Sequence, residues 1–325
     1  MDSEIPIPQG LSSEACIGVA VVLSAIGFCG FTFNLLVLII IISDSHHLWT
    51  PVNVILWNLA LGDFLVALLG NPLALVSAIK GGWYWSHSTC LWYAWIMSTL
   101  GFASIGNLTM MALERYLFVV RPMLSVSIKT AMALSGVVWV YAVSLSLPPF
   151  FGWGSYGYEP GNVSCSVSWE VHNPATHSDT YIAFIFLFAM IVPVILISAS
   201  YFGIISTLKK VKKRTGGTRR REVKVTKIVA LMIIAFLVAW TPYAILALAA
   251  QYFYFQPSAL VGVLPSLLAK SSICYNPIIY AGLNAQFSQS VKKMLGIKEV
   301  RGSRSKGAVS SQTTGIVLTT RIERN

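Results

Sequence analysis

One lysine lies in the middle of an apolar segment that is long enough to cross a membrane. The stretch 257–283 carries no charged residue other than Lys270, and as a helix it would span a bilayer. At about 1.5 Å per residue, Lys270 lies roughly 20 Å from the first residue of the stretch, too deep for its amine to reach either interface. A cation at that depth costs at least ~2.5–3.5 kcal/mol, so we expect Lys270 to have a function.

Two functions are open for this lysine. It could pair with a carboxylate and hold helices together, as buried ion pairs do. It could instead be a desolvated amine that is nucleophilic enough to form a Schiff base with an aldehyde. We favour the second interpretation, because ionisable residues inside membrane segments usually belong to functional sites.

Polar side chains also lie inside the apolar stretches of this chain. Asn34 and Asp63 occupy the first two stretches, and the motif Asn-Pro-Ile-Ile-Tyr runs from Asn276 to Tyr280 in the last. In lipid, such groups must find hydrogen-bond partners on neighbouring helices. They form either fixed contacts or a hydrated network that can rearrange. Pro277, which frees a backbone carbonyl, favours the network.

A charged triplet ends the third apolar stretch. It consists of Glu114, Arg115 and Tyr116, and Glu222 precedes the sixth stretch. An arginine near two carboxylates could form a salt bridge that latches two helices together. Three residues are weak evidence alone, but their combination with the motif at 276–280 is specific.

The composition indicates the class of fold that must position these residues. Of 325 residues, 55% are hydrophobic and 11% are charged, which is too apolar for a soluble domain of this size. No stretch alternates with the period of two that membrane barrel strands need. Seven apolar runs are each near or above the ~20 residues of a spanning helix, at about 15–42, 51–79, 91–113, 131–151, 180–207, 228–252 and 257–283. The sequence therefore predicts an all-α membrane protein with a seven-transmembrane helix bundle.

Basic residues indicate how the bundle is oriented. Of 23 lysines and arginines, ten lie in 209–227, eight lie from residue 292 onward and three lie at 115–129. With an odd number of spans, all of these fall on one side. By the positive-inside rule that side is cytoplasmic, together with the C-terminus, and the N-terminus is extracellular. The net charge of +11 therefore suits anionic membrane lipid and an acidic partner, not nucleic acid.

These features divide the chain into four parts. Residues 1–14 are predicted to form an extracellular N-terminal tail, and 15–283 the seven-helix transmembrane domain. A short amphipathic helix, the eighth, is expected at 284–296. A disordered cytoplasmic tail is expected at 297–325, where serine, threonine and basic residues predominate.

Two cysteines lie on the predicted extracellular, oxidising side of the membrane. Cys90 begins the third span and Cys165 lies in the long loop before the fifth, whereas the other three cysteines lie in or beside apolar runs. We expect Cys90 and Cys165 to be joined. Such a bond would hold the loop over the mouth of the bundle as a lid.

Taken together, these residues resemble the rhodopsin-like G-protein-coupled receptors. The resemblance rests on the charged triplet, the motif at 276–280, the two extracellular cysteines and the sequence Trp-Thr-Pro-Tyr at 240–243, and it covers about 34–287. Lys270, six residues before Asn276, matches the retinal-attachment lysine of opsins. The short third cytoplasmic loop and the sequence at 284–287 resemble ciliary-type opsins, with encephalopsin-, multiple-tissue- and pteropsin-like members most similar.

The resemblance implies a chromophore and a charge partner for it. Retinal would be bound to Lys270 as a protonated Schiff base, 11-cis in the dark and all-trans after light. A cation buried in low dielectric needs a carboxylate nearby, but at the position that carries it in vertebrate visual pigments this chain has Tyr93. Glu159 matches the counterion position of invertebrate and many non-visual opsins, and Glu170 and Asp179 are weaker alternatives.

Two further groups of residues follow from the resemblance. The remaining chromophore contacts are expected on the third and sixth spans, at Met97, Gly101, Phe102, Phe236, Trp240 and Tyr243. The residues that couple to a cytoplasmic partner are expected to be Glu114, Arg115, Tyr116, Tyr201, Glu222, Asn276, Pro277 and Tyr280, with Asn34 and Asp63 in the polar network. A push on Trp240 would swing the sixth span outward and break a contact between Arg115 and Glu222.

The implied partner is a heterotrimeric G protein of the Gi/Go/transducin type, in the plasma or photoreceptor membrane, and the pigment is expected to be bistable. Phosphorylation by a receptor kinase, followed by arrestin binding, is expected in the tail at Ser310, Ser311, Thr313 and Thr314. Neither a metal site nor an enzymatic activity is expected. The alternative function is a retinal photoisomerase, which would use the same lysine but would not need the coupling residues.

Overall fold

Six continuous helices and one interrupted helix form the bundle. A computed structural model describes residues 10–172, 174–215 and 220–294. Within these ranges, six helices are long and apolar enough to cross a membrane. They are α1 (Ser13–Ser43), α2 (Pro51–Lys80), α3 (His87–Val120), α4 (Ile128–Ser146), α5 (Ser178–Lys213) and α6 (Arg220–Phe253). Several extend past the predicted apolar runs, because a helix can continue into the polar segment beyond the lipid.

The seventh span is interrupted just before Pro277, the proline of the motif at 276–280. This span, α7, consists of a helix at Ala259–Ser271, a 3-10 turn at Ser272–Cys274 and a helix at Tyr275–Leu283. Pro277 has no N–H to donate to the carbonyl of Ile273, four residues earlier. The side-chain amide of Asn34 in α1 donates to that carbonyl instead, at 2.9 Å. The predicted seven-helix bundle is therefore confirmed, with a break in its last member.

Two other spans contain a π-helical turn, at Val66–Gly70 in α2 and at Leu187–Ile191 in α5. Such a turn disturbs the regular hydrogen bonds of the helix, and the carbonyls that it frees need other donors in lipid. In α5, the hydroxyl of Tyr141 on α4 donates to the carbonyl of Phe188 at 2.8 Å. This bond ties α4 to α5 at the level of the turn.

Polar side chains link the helices inside the bundle, where α3 packs against α2, α4, α5 and α6. Asp63 on α2 is 2% exposed and accepts hydrogen bonds from Ser104 at 3.1 Å and from Asn276 at 3.0 Å. Tyr280 donates to the side chain of Asn53 at 2.8 Å. These contacts join α2, α3 and α7, as the sequence pattern of buried polar residues predicts.

A two-stranded hairpin covers one end of the bundle, which we call the hairpin end. Strands β1 (Tyr156–Tyr158) and β2 (Cys165–Val167) are antiparallel, and Tyr158 pairs with Cys165. The predicted bond between Cys90 and Cys165 is present. This disulfide ties the first residue of β2 to the first turn of α3. The hairpin is therefore fixed to the bundle next to its own tight turn.

The opposite end of the bundle, the α8 end, carries the predicted amphipathic helix. Helix α8 (Ala285–Met294) buries Phe287 completely, with its ring 4.9 Å from that of Tyr280. Ser290 donates to Asp44, just after α1, at 2.6 Å. Residues 1–9 of the predicted N-terminal tail and the predicted tail 297–325, with its four phosphorylation sites, lie outside the described residues.

Candidate functional site

A cavity of about 180 Å³ lies between α3, α5, α6, α7 and the hairpin. Of the described residues that line it, two are charged, Lys270 and Glu159, and most of the others are apolar. All nine residues predicted to contact a chromophore line this cavity, namely Tyr93, Met97, Gly101, Phe102, Glu159, Phe236, Trp240, Tyr243 and Lys270. Positions far apart in the sequence are thus brought together around one space.

The two charged residues form an ion pair. The Lys270 amine lies 3.2 Å from the Glu159 carboxylate, and the Lys270 side chain is 13% exposed and that of Glu159 4%. Lys270 also donates to the hydroxyl of Ser266, which in turn donates to the same carboxylate oxygen at 2.8 Å. Across the described residues, Glu170 and Asp179 form no ion pair with Lys270. The geometry therefore places Glu159, and neither alternative, beside the lysine.

Three hydroxyl groups also stabilise the Glu159 carboxylate. Ser164 and Ser266 donate to one oxygen, and Tyr243 donates to the other at 2.8 Å. Burial by itself would raise the pKa of Glu159, but the Lys270 ammonium and these hydrogen bonds outweigh it and hold the pKa below its usual value. The carboxylate is therefore charged at neutral pH. Partial burial, and then the nearby Glu159 charge, raise the pKa of Glu170.

Glu159 lies at the first position of the tight turn of the hairpin. Its carbonyl accepts from the N–H of Asn162 at 2.9 Å, and its own N–H donates to the carbonyl of Ser164 at 2.8 Å. Pro160 and Gly161 fill the middle positions, and Gly161 has a φ of +88°, which a type II turn requires at this position. The carboxylate therefore projects from a backbone whose conformation is fixed.

Tyr93 on α3 also lines the cavity, but it does not contribute a charge. The residue is fully buried, and its ring lies edge-on to that of Trp83 at 5.3 Å. Among the described residues, its hydroxyl has no hydrogen-bond partner. A polar atom therefore remains available at the cavity wall on the helix opposite Lys270.

The α6 side of the cavity is formed by a set of packed aromatic rings. Phe236 stacks on Trp240 at 5.5 Å, and the indole N–H of Trp240 donates to the Ser272 hydroxyl at 3.1 Å. On α3, a methyl group at Gly101 would lie 3.0 Å from the Trp240 ring. Because Ser272 begins the 3-10 turn of α7, Trp240 connects the cavity to the break in that helix.

Three serines in or beside this site were not predicted from the sequence: Ser164, Ser266 and Ser272. Ser266 could have been found, because it precedes Lys270 by one helical turn and must lie on the same face. Ser164 reaches Glu159 only because the hairpin turn folds back, and Ser272 meets Trp240 only through the packing of α6 on α7. Neither of these contacts has a signal in the local sequence.

At the α8 end, the charged triplet does not form the predicted latch. Arg115 pairs with the adjacent Glu114, and both residues are buried. In the part of the chain that the structure describes, Arg115 forms no ion pair with Glu222. The prediction of an Arg115–Glu222 contact is therefore wrong. A carboxylate on the neighbouring residue reaches the guanidinium without bringing α6 closer.

A different contact joins α5 to α6 at this end of the bundle. The Tyr201 hydroxyl donates to the carbonyl of Thr226 at 3.1 Å. The ring of Tyr116 packs against Gly203, where a methyl group would lie 2.5 Å from it. Tyr201 and Tyr116, both predicted coupling residues, therefore lie at helix contacts, whereas Asn276, Pro277 and Tyr280 belong to the polar network around α7.

Comparison with known proteins agrees with this arrangement. Residues 33–280 match the family described as 7 transmembrane receptor (rhodopsin family). The chain is 32% identical over 292 residues to pineal opsin of Petromyzon marinus, covering 86% of this chain and 65% of that protein. It is 33% identical over 287 residues to pinopsin of Gallus gallus, covering 86% of this chain and 80% of that protein. The chain thus spans slightly less than two thirds of the pineal opsin.

A solved structure supports the same relationship. The crystal structure of squid rhodopsin superposes with a TM-score of 0.80 at 25% identity, over 89% of this chain and 87% of that one. These relatives are receptors, which confirms the prediction that the chain is not an enzyme. The bundle, the lysine in its seventh span and the sequence matches lead to one conclusion: the chain belongs to the rhodopsin family of seven-transmembrane receptors, among the opsins.

Proposed function

We propose that this protein is a light receptor that holds retinal covalently on Lys270 as a protonated Schiff base, with Glu159 as the counterion. The observation that carries the proposal is the Lys270 amine, which faces the cavity 3.2 Å from a buried carboxylate. The receptor would lie in the plasma or photoreceptor membrane with its hairpin end extracellular and its α8 end cytoplasmic, since basic residues concentrate at the α8 end.

The residues around the cavity fit retinal. The cavity volume of about 180 Å³ is more than ten times the ~10–15 Å³ that one water molecule needs by the same measure. Its wall combines apolar and aromatic side chains with one primary amine, as a long apolar aldehyde requires. When bound, retinal supplies an aldehyde carbon for the amine and a conjugated chain that absorbs visible light and isomerises, from 11-cis to all-trans.

The chain's own groups control the proton at the Lys270 nitrogen. The Glu159 carboxylate stabilises a positive charge there, since an unpaired cation in a buried site would lose its proton. Ser266 orients the nitrogen and the carboxylate toward each other through its two hydrogen bonds. The disulfide-tethered hairpin covers this pair and excludes bulk water.

The same arrangement supports bistability. On α3, Tyr93 occupies the position that carries the counterion in vertebrate visual pigments. Its hydroxyl is neutral at neutral pH and is therefore a poor proton acceptor. The Glu159 carboxylate already accepts hydrogen bonds from three hydroxyls, so it is a poor acceptor for the nitrogen's proton. The linkage therefore stays protonated after light, and a second photon reverses the isomerisation.

We propose that the partner is a G protein of the Gi/Go/transducin type, that a kinase and arrestin act on the tail, and that the chain itself is a ciliary-type opsin related to encephalopsin-like pigments. Coupling to a cytoplasmic partner is supported by the α8 end, where Tyr201 holds α6 against α5 by one hydrogen bond to a backbone carbonyl. The connection from the cavity to this end runs through Trp240 and the α7 break at Ser272. Outward movement of α6 would open a groove for a partner helix.

Reconstitution with 11-cis-retinal tests the proposed function directly. Lys270→Ala should abolish visible absorbance, because none of the other lysines and arginines among the described residues lines the cavity. Lys80→Ala is the control, since Lys80 lies at the end of α2 outside the cavity and its loss should leave the spectrum unchanged. Visible absorbance that survives in Lys270→Ala contradicts the proposal.

A further inference from the structure

One face of α7 carries three residues at intervals of four: Gly262, Ser266 and Lys270. Residues at this spacing lie above one another on a helix. Ser266 and Lys270 both contact Glu159. Gly262, the residue nearest the hairpin end, faces Pro160, which directly follows Glu159 in the chain. The same face of α7 therefore meets the counterion and the residue after it.

The contact at Gly262 is too close for any side chain. A methyl group on Gly262 would lie 2.3 Å from Cβ of Pro160 and 2.7 Å from its Cγ. Both atoms belong to a ring that is fixed to the backbone, so the proline cannot rotate away as a flexible side chain would. Even alanine at Gly262 would have to displace the hairpin turn itself.

The next residue of the turn makes a second close approach. Gly161 has a φ of +88°, and a methyl group there would lie 2.6 Å from the Val263 side chain and 3.3 Å from Leu11. Pro160 and Gly161 therefore seat on Gly262 and Val263, while Leu11, before α1, covers the turn from another side. The turn that begins with Glu159 is enclosed by two parts of the chain.

We infer that Gly262 is a positioning residue: it forms a notch for Pro160 that docks the hairpin on α7 and sets the distance between Glu159 and Lys270. This inference rests on the proposed function for its spectroscopic consequence but not for the docking itself. Among the described residues, the other titratable groups near the pair are Tyr93 on α3, Tyr243 on α6 and Glu170 in the loop after β2, and the substitutions below change none of them.

The first test compares two glycines of α7, one in each of its two helices, in protein reconstituted with 11-cis-retinal. Gly262→Ala should move Glu159 away from Lys270, so the pH at which the visible band is half lost should fall by on the order of one unit, about tenfold in proton affinity. Gly282→Ala is the matched control, because a methyl group there meets nothing within 4 Å. An unchanged midpoint in Gly262→Ala overturns the inference.

The second test uses the protein without retinal. Hydrogen exchange should become at least about tenfold faster at the Glu159 and Asn162 amides in Gly262→Ala, because both amides donate bonds that hold the turn. Gly282→Ala should exchange like the wild type. Equal exchange in the two variants contradicts docking, whatever the spectra show.

A rescue variant separates docking from general damage. Pro160→Gly removes the Cβ and Cγ that a Gly262 methyl would meet, although it also loosens the turn, so Gly262→Ala should change the midpoint and the exchange less in the Pro160→Gly background than in the wild type. Equal effects of Gly262→Ala in the two backgrounds overturn the inference. If the wild type forms no visible pigment, the proposed function fails, while the exchange comparison still decides the docking.

Discussion

Four donors converge on one carboxylate at the centre of the site, and three of them are neutral. Ser164, Ser266 and Tyr243 donate hydroxyl hydrogens to Glu159, and Lys270 donates from its amine. A carboxylate with several hydrogen bonds keeps its charge without depending on a single partner. The loss of one hydroxyl should therefore have a graded effect on the pigment, smaller than the loss of the carboxylate.

Ser266→Ala tests this gradation. A hydrogen bond to a charged group contributes about 1.5–3 kcal/mol, so its loss should lower the pH at which the visible band disappears by about one to two units. Ser271→Ala is the control on the same helix, since the Ser271 hydroxyl bonds to Leu268 and Tyr275, away from the carboxylate. Equal midpoints in wild type and Ser266→Ala would show that the serine does not support the pair.

For single residues, the sequence predicted a functional role where the residue type conflicts with its surroundings. Lys270 could be identified because it is the one charge in a long apolar stretch. Glu159 lies in a loop with no periodic pattern, so its selection over Glu170 and Asp179 required the family resemblance. Ser164 could not be found, because its contact with Glu159 depends on the turn at Pro160 and Gly161.

Among the helices, irregular segments are stabilised by side chains from neighbouring helices. The π-helical turn of α5 receives the Tyr141 hydroxyl from α4, and the α7 break receives the Asn34 amide from α1. In lipid these donors replace the water that would otherwise bind a freed carbonyl. At these two carbonyls, a helix therefore departs from regular geometry without leaving the carbonyl unbonded.

Asn34→Ala tests the coupling between α1 and α7. The variant leaves the Ile273 carbonyl without its donor from α1, at a cost of about 1–3 kcal/mol in stability, seen as a lower thermal midpoint in detergent. In a Pro277→Ala background the backbone N–H at 277 can supply the bond, so the same substitution should cost less. If the two costs are equal, Asn34 does not act through this carbonyl.

Helix number and helix irregularity differ in how far the sequence predicts them. Seven apolar runs predict seven helices, because a segment that crosses lipid must satisfy its backbone hydrogen bonds within itself. Pro277 marks the α7 break by its missing N–H. The π-helical turns at Val66–Gly70 and Leu187–Ile191 also precede prolines, Pro72 and Pro193, whose missing N–H disturbs the preceding turn, but the sequence does not indicate which irregular geometry results.

Across the whole molecule, the two ends differ in what holds them together. The hairpin end is closed by a disulfide, an ion pair and the docked turn. At the α8 end, Arg115 is paired within its own helix, and α6 is joined to α5 through the Tyr201 hydroxyl. Among the described residues, α6 has no disulfide or ion pair at the α8 end, so we expect a change at the cavity to be released there.

Illumination of cells that express the receptor tests the proposed coupling. Light should lower cyclic nucleotides, and blockade of Gi/o proteins should remove the response. A light-evoked calcium rise that is insensitive to Gi/o blockade would contradict the proposed G-protein class.

Tyr201→Phe loses the hydroxyl that holds α6 to α5, so it should raise activity in the dark while leaving the absorbance spectrum unchanged.

In the function that we propose, Glu159 keeps the retinal linkage on Lys270 protonated. The most direct measurement is the absorbance spectrum at neutral pH, before and after light, of wild type, Glu159→Gln and the control Glu170→Gln. We predict a visible band in wild type and in Glu170→Gln, a wild-type photoproduct that persists in the dark and reverts with a second wavelength, and a near-ultraviolet band in Glu159→Gln. A visible band retained in Glu159→Gln, or wild-type pigment that bleaches within minutes, would contradict the claim.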